Sequence, residues 1–142
     1  MVAGSLGLPV YHTVVTHPTA PLDWNCIDTV LLDMDGTLLD LRFDNWFWQE
    51  HLPQLWAERE RVPVAEALRL LGPRFEAARG RLEWYCIDFW SRELSMDVRA
   101  IKASVRERVS WIAGAEALLV RLRGLGKRLV LVTNAHPETL AI

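Results

Sequence analysis

Two short runs of consecutive apolar residues predict the buried strands of this chain. The first is residues 27–33 (IDTVLLD) and the second is residues 128–133 (RLVLVT). The apolar residues follow one another instead of alternating with polar ones, so both faces of each strand are expected to be covered. That pattern is typical of strands in a parallel sheet.

A helix with one apolar face is predicted just before the second strand. Residues 115–125 carry four leucines on one helical face, and Gly126 follows as a left-handed C-cap. A helix, a glycine, a short basic turn and a buried strand make up one half of a βαβ unit.

The segment between the two strands has helical periodicity and contains no strand pattern. Such an all-helical insert predicts a separate small domain that lies over the edge of the sheet. The predicted helices are residues 44–61, capped by Asp44 and broken near Pro53; residues 63–80, disturbed at Pro73; residues 83–94; and residues 97–109, capped by Asp97.

Composition and charge narrow the function classes. The 142 residues are 51% hydrophobic and 24% charged with a net charge of -2, which is ordinary for a soluble globular protein and gives no basic face for nucleic acid.

Cys26 and Cys86 lie far apart without ligand spacing, so neither a disulfide framework nor a zinc site is expected. Residues 2–22 contain three prolines and no basic start, which excludes a signal peptide or membrane span there. A cytoplasmic protein is expected.

Two aspartates follow the first predicted strand in the stretch VLLDMDGTLLD. Asp33 is the last residue of that strand, and Asp35, two residues later, returns to the same side in extended geometry. Gly36 then allows the chain to turn sharply. Thr133 and Asn134 end the second strand in the same way. Ligands of open parallel sheets bind beyond the carboxyl ends of the strands, so these side chains are expected at one rim.

This arrangement suits phosphoryl transfer. Neighbouring carboxylates repel each other without a cation, and Mg²⁺ is usually shared between carboxylates and a substrate phosphate. Asp33 is expected to attack phosphorus as the nucleophile, and Asp35 to act as general acid and base. The Asp33 carboxylate and the main-chain carbonyl of Asp35 would bind Mg²⁺. Thr133, the Asn134 backbone and the start of a helix at Pro137 would hold the phosphate oxygens.

Several stretches resemble the haloacid dehalogenase (HAD) superfamily. The motif DMDGTL at residues 33–38 and the strand end LVTN at residues 131–134, with a helical insert between them, are similar to its phosphatase branch. Within that branch, residues 28–49, 82–91 and 132–137 resemble the GMP/IMP nucleotidases, or purine 5'-nucleotidases.

The resemblance implies an α/β fold with a HAD-like Rossmannoid parallel sheet, truncated here, and an inserted all-helical cap. The domain organisation expected on this basis is an N-terminal tail at residues 1–22, a partial core at residues 23–40 and 110–142, and the cap at residues 41–109. It implies a Mg²⁺-dependent phosphomonoester hydrolase that forms an aspartyl-phosphate and acts on a purine nucleoside 5'-monophosphate, without nucleic-acid or membrane partners.

The chain departs from the family pattern in its later motifs. The family's catalytic lysine and acidic pair follow the second motif, but only nine residues follow Thr133. The two lysines of the chain are Lys102, which falls in the predicted cap, and Lys127, which lies at the wrong end of its strand. Glu138 is the only acid left in the remaining segment. The chain as written is therefore expected to show little or no phosphatase activity.

Three functions remain open at this point. The first is the nucleotidase reaction, the second is another HAD reaction such as phosphosugar hydrolysis or mutase chemistry, and the third is a non-catalytic fragment. The aromatic stretch at residues 84–90 is apolar nearly all round a helix, which indicates a buried cap core or, alternatively, a surface that stacks on a nucleobase. His136 is interpreted as a turn residue in preference to a catalytic one.

Overall fold

The computed structural model describes residues 22–141 of the chain, so the predicted tail lies outside the described residues except for Leu22. The strands are β1 (Thr29–Leu32) and β2 (Arg128–Leu131). The α-helices are α1 (Arg42–Trp46), α2 (Leu52–Glu60), α3 (Val64–Ala78), α4 (Ile87–Leu94), α5 (Val98–Ala103), α6 (Ala115–Gly124) and α7 (Pro137–Leu140). Short 3₁₀ turns are found at Trp24–Cys26, Leu82–Tyr85 and Arg106–Arg108. None of the helices in this range is long and apolar enough to cross a membrane.

The two strands pair in parallel, which confirms the predicted parallel arrangement. Leu32 of β1 lies opposite Leu131 of β2. The pairing continues past the end of the strands, where the backbone N–H of Val132 donates to the carbonyl oxygen of Leu32 at 2.7 Å. Asp33 and Thr133 therefore leave neighbouring strands at the same end of the sheet. Both strands are shorter than predicted, so these two residues lie just beyond them.

Helix α6 covers one face of the sheet. Its end follows the prediction, because Gly126 has a positive φ of 70° and its N–H donates to the carbonyl oxygen of Arg123 at 2.9 Å. The buried residues at this face are Leu32, Leu38 and Ala115, and the partly buried residues Val30, Ile112, Leu119 and Leu129 pack against them. The four leucines of the predicted apolar face are not all buried against the sheet, since Leu118 and Leu125 are exposed.

The prediction that both faces of the strands are covered is wrong for the described residues. Leu31 is 67% exposed, although Val30 and Leu32, its neighbours in β1, belong to the cluster that packs with α6. Side chains alternate across a strand, so Leu31 lies on the face opposite α6, and nothing among residues 22–141 packs over it to an extent that buries it. Leu131 is 46% exposed although its pairing with Leu32 puts it on the same face as α6.

The predicted break at Pro53 is instead a π-helical turn within one long helix. Proline has no N–H to donate to the residue one turn earlier, so regular α-helical pairing cannot continue there. Residues Phe47–His51 form the π-helical turn that joins α1 to α2, and the N–H of Leu52 donates to the carbonyl oxygen of Phe47. The buried residues Phe43, Phe47, Leu52 and Trp56 consequently stay on one side of the helix, with steps of four, five and four residues.

Two predicted helix caps have different outcomes. The prediction for Asp97 is confirmed, because its Oδ1 accepts a hydrogen bond from the N–H of Ala100 at 2.9 Å at the start of α5. The prediction for Asp44 is wrong, because α1 begins at Arg42 and Asp44 lies inside its first turn. The fourth helix also ends earlier than predicted, since α5 stops at Ala103 and only a 3₁₀ turn follows.

The helical region has its own hydrophobic core, built around aromatic rings. Trp90 of α4 is 1% exposed and its ring centroid lies 5.1 Å from that of Phe75 and 5.7 Å from that of Trp48. The indole N–H of Trp90 donates to the carbonyl oxygen of Trp84 at 3.0 Å, so the buried polar atom is satisfied. All the buried members of this cluster fall between Phe43 and Val98, whereas the buried cluster of the sheet is separate.

Trp90→Ala is expected to lower the free energy of unfolding by about 3–5 kcal/mol, because it leaves a large cavity and an unpaired carbonyl group. Urea unfolding monitored by circular dichroism measures the change. Leu82→Ala is the matched control, since Leu82 is 80% exposed and its truncation should change stability by no more than about 0.5 kcal/mol. Equal effects of the two variants would contradict the proposed core.

Candidate active site

The chain turns immediately after β1 and brings two carboxylates together. Asp33 is exposed, and its Oδ1 accepts a hydrogen bond from the N–H of Met34 at 2.8 Å. The carbonyl oxygen of Met34 accepts from the N–H groups of three following residues, at 2.9–3.3 Å, so the backbone does not stay extended. Gly36 has φ of 78°, a left-handed conformation that glycine adopts without strain. Asp35 is therefore directed by a tight turn and not by the strand.

Asp35 is half-buried at the edge of a cavity, unlike Asp33. Burial raises the pKa of its carboxyl group, and the negative charges of Asp44 and Asp33 raise it further, whereas the charge of Lys102 opposes them. A carboxyl group with a raised pKa keeps its proton to higher pH, which suits a general acid. Asp35 is thus half-buried, which suits its predicted role as general acid, whereas Asp33 is exposed, which suits its predicted role as nucleophile.

The cavity has a volume of about 420 Å³, within the range of small-molecule sites. It lies between the turn after β1 and the helical region. Its walls are mainly apolar and include five aromatic side chains, with polar groups from α1, the π-helical turn and α3. The residues that line it include Asp35, Asp44, Asn45, Trp48, Gln49, Phe75, Glu76, Arg79, Trp84, Tyr85, Trp90, Lys102, Ala135 and Thr139. Aromatic walls that end at a carboxyl group fit a ligand with a flat apolar part and a polar part.

An ion pair between a buried lysine and a partly exposed aspartate lies in the wall of this cavity, close enough for both charges to act on Asp35. The Nζ atom of Lys102, in α5, donates to Oδ1 of Asp44, in α1, at 2.6 Å. The same Nζ atom lies 5.5 Å and 5.6 Å from the ring centroids of Phe43 and Phe47, a distance that allows cation–π attraction.

The second predicted pair of site residues lies at the correct end of the sheet but outside the cavity wall. The hydroxyl oxygen of Thr133 accepts a hydrogen bond from the N–H of Ala135 at 3.0 Å, and Asn134 is exposed. Ala135 and Thr139 reach the cavity instead. Helix α7 begins at Pro137, as predicted, and Nδ1 of His136 accepts from the N–H of Glu138 at its start. The structure thus gives His136 the capping position of a turn residue.

The segment after β2 also contacts the helical region through charged side chains. Glu138 forms an ion pair with Arg99 of α5. Nε2 of His136 lies 3.8 Å from a carboxylate oxygen of Asp88 in α4. These contacts hold the strand end and the helices on either side of the cavity.

The oxygen donors near Asp33 fit a hard cation in kind but give only part of a coordination shell. Mg²⁺ takes six oxygen ligands and usually keeps several waters, so one carboxylate and one main-chain carbonyl are compatible with it. Among residues 22–141, no group of three or more histidine, cysteine, aspartate or glutamate side chains is placed to hold a metal ion. Further ligands would come from water and substrate.

Residues 30–141 match the family model of the haloacid dehalogenase-like hydrolases. The chain belongs to this family. It is 41% identical over 119 residues to the GMP/IMP nucleotidase YrfG of Escherichia coli (strain K12), and equally to the protein of that name from Shigella flexneri. The matched region covers 84% of this chain and 54% of each relative, so the chain spans about half the length of the curated relatives it matches.

A solved structure agrees with the fold. The crystal structure of a HAD phosphatase from Thermococcus onnurineus superposes with a TM-score of 0.67 at 19% sequence identity, over 80% of this chain and 54% of that one. At this identity the similarity supports the fold class alone. It agrees with the predicted α/β fold with a parallel sheet and a large helical insertion.

Sequence reasoning missed the contribution of Lys102 to the site and assigned this residue only to the cap. One signal in the sequence was available. Val98, Ile101, Lys102 and Val105 follow the spacing of a core-facing helix side, so the lysine occupies a position where an apolar residue is expected. A lysine at such a position is almost never buried unless it is paired.

Gly36→Ala is expected to destabilise the turn after β1 by about 1–2 kcal/mol, because alanine is strained at positive φ. A Cβ atom there would also lie 3.1 Å from Cδ1 of Leu41. Gly124→Ala is the matched control, since it lies in α6 with open space around it and should be neutral or stabilising. Thermal unfolding of both variants tests the pair. An unchanged midpoint for Gly36→Ala would show that the turn does not require glycine.

Proposed function

We propose that this chain carries the nucleophile and the substrate cavity of a Mg²⁺-dependent phosphomonoesterase that acts on purine nucleoside 5'-monophosphates such as GMP and IMP. The observation that carries the proposal is the position of the two aspartates after β1. Asp35 lines a cavity of about 420 Å³ with aromatic side chains in its walls, and Asp33 lies two residues before it, in a chain 41% identical to proteins named GMP/IMP nucleotidase.

The two aspartates divide the reaction between them. An Oδ atom of Asp33 attacks phosphorus, and the bond from phosphorus to the ester oxygen breaks as the aspartyl-phosphate forms. Asp35 gives its proton to the leaving oxygen, which departs as the nucleoside hydroxyl. Water then attacks phosphorus, its proton passes to Asp35, and the bond to Asp33 breaks to release inorganic phosphate. Burial of Asp35 favours the protonated form that the first step needs.

Mg²⁺ would be held by the Asp33 carboxylate and the main-chain carbonyl of Asp35. When bound, it neutralises the charge of the phosphate and of the attacking carboxylate. The backbone turn around Met34 keeps Asp33 fixed, because the N–H of Met34 donates to its carboxylate. The hydroxyl of Thr133 and the backbone of Asn134 would bind phosphate oxygens from the neighbouring strand end.

The helix along one wall presents a charged end and an aromatic end. Asp44 and Asn45 line the cavity one helical turn before Trp48 and Gln49, which corresponds to about 6 Å along the axis. The charge of Asp44 acts on Asp35, so this end of the wall would be the phosphate end. A substrate with its phosphate at this end would place its base between the aromatic residues.

The aromatic walls favour a nucleotide over a phosphosugar, the second candidate for this site. A sugar presents hydroxyl groups in all directions and needs many hydrogen-bond partners, whereas a purine has two apolar faces that stack on aromatic rings. We expect turnover and binding of GMP and IMP to exceed those of glucose 6-phosphate by at least about tenfold. Steady-state phosphate release, assayed with the chain and with a form as long as its relatives, measures the ratio. A preference for the sugar phosphate would assign the site to the other reaction.

In a form as long as its relatives, Asp33→Asn is expected to abolish turnover and the acid-stable acyl-phosphate adduct on the protein, because an amide is a poor nucleophile. Asp35→Asn should slow the reaction by about 10²–10⁴-fold, the usual contribution of general acid–base catalysis. Single-turnover assays with radiolabelled GMP, quenched in acid, separate the two roles. Asp28→Asn is the matched control, since Asp28 precedes β1 at the opposite end of the strand. Phosphate release by Asp33→Asn at the rate of the parent protein would exclude Asp33 as the nucleophile.

A further inference from the structure

Lys102 is a buried cation at a position that stability does not explain. The residue is 7% exposed and packs beside the rings of Phe43 and Phe47. Desolvating a lysine and an aspartate costs free energy that their attraction often fails to repay, and an apolar pair of similar volume is frequently as stable or more stable. An ion pair in this core therefore calls for a reason other than folding.

The pair lies at the phosphate end of the cavity. Lys102 and Arg79 are the cations among the described residues that line it. Arg79, at the C-terminal end of α3, is paired with Glu76 at 2.6 Å, and it is not among the charges that shift the pKa of Asp35. The charge of Lys102 does act on Asp35, in opposition to burial and to the nearby carboxylates. Lys102 is thus the lining cation whose charge acts on Asp35.

The ammonium group has hydrogen-bonding capacity beyond its contact with Asp44. An ammonium group carries three N–H donors. Within residues 22–141, Oδ1 of Asp44 at 2.6 Å is the acceptor that the structure gives for Nζ. That contact holds the side chain against α1, while its place in the cavity wall leaves donors for a ligand.

An incoming phosphate meets an unfavourable field without this cation. Asp35 and Asp44 present two carboxyl groups to the cavity, and the charge of Asp33, which does not line it, acts on Asp35. These negative charges repel an incoming phosphate dianion. The ammonium group of Lys102 in the cavity wall offsets part of that repulsion and can donate to a phosphate oxygen through a charge-assisted hydrogen bond.

We propose that Lys102 binds the phosphate group of the substrate from the helical side of the cavity, with Asp44 holding its ammonium group in position. This inference rests on the proposed function, because it assumes a phosphomonoester at Asp33 and Asp35. It adds a phosphate ligand from α5, a helix of the insertion, to those expected from the ends of the two strands.

The test compares GMP with one ligand that lacks its phosphate and one that lacks its base. Binding of GMP, guanosine and ribose 5-phosphate to the 142-residue chain is measured by calorimetry in EDTA, so that no turnover occurs. Lys102→Met should weaken GMP binding by about 10- to 100-fold, as expected for the loss of a charge-assisted hydrogen bond, and should leave guanosine binding within about twofold. Lys127→Met is the matched control. The Nζ atom of Lys127 donates to the carbonyl oxygen of Trp24 at 2.6 Å, and this residue does not line the cavity.

A double variant separates charge recognition from folding. Lys102→Met with Asp44→Asn leaves no unpaired buried charge, so it should fold even if the single variant is unstable, and its affinity for GMP should fall about 10- to 100-fold further than its affinity for guanosine. Parallel losses for GMP and guanosine in the double variant, or no loss for either, would overturn the proposal. If binding of GMP and of ribose 5-phosphate weakens in the variants while guanosine does not bind the parent chain, the role of Lys102 stands and the purine assignment fails. If guanosine and GMP bind equally well with and without Lys102, the purine assignment stands and the lysine proposal fails.

Discussion

Parallel pairing of β1 with β2 is the constraint on which the rest of the structure depends. Antiparallel strands would place Asp33 and Thr133 at opposite ends of the sheet. In the parallel register, Leu32 and Leu131 lie side by side, and both strands end at the same edge of the sheet. Two parallel strands also need a long crossover connection, and here that connection includes all the helices from α1 to α6. The same pairing therefore sets the position of the carboxylates and brings the helices over them.

The parts of the fold that follow from local chemistry could be predicted from the sequence. The existence of the two strands, the left-handed Gly126 and the helix start at Pro137 each depend on a few consecutive residues. Asp97 and Asp44 show the limit of that reasoning, because both are aspartates near a helix start and only Asp97 is a cap. Asp44 is held by Lys102, far along the chain, and no local rule contains that contact.

The candidate site likewise has parts that follow from neighbouring residues and parts that depend on contacts distant along the chain. The two aspartates after β1 could be identified because their spacing, the glycine after them and the strand before them are all local. The cavity could not be predicted, since its walls come from α1, α3, α4 and α5 and from the segment after β2. Thr133 and Asn134 were placed at the correct strand end, but the side-chain directions beyond it depend on a turn in which Thr133 accepts from Ala135. The exposure of Leu31 was missed because an apolar run predicts burial without identifying what covers it.

The π-helical turn at Phe47–His51 lets one helix serve two surfaces. Upstream of it, Asp44 and Asn45 line the cavity, and downstream of it Leu52 and Trp56 are buried in the core. The core-facing residues advance by five positions across the turn, where a regular α-helix would have rotated the second half by roughly 100° for the additional residue. The wide turn therefore absorbs one additional residue and keeps the cavity wall and the packing face in phase. Converting the turn to a regular α-helix at the same length would put the two faces out of register, so a redesigned insertion must either keep the wide turn or shorten the helix by one residue.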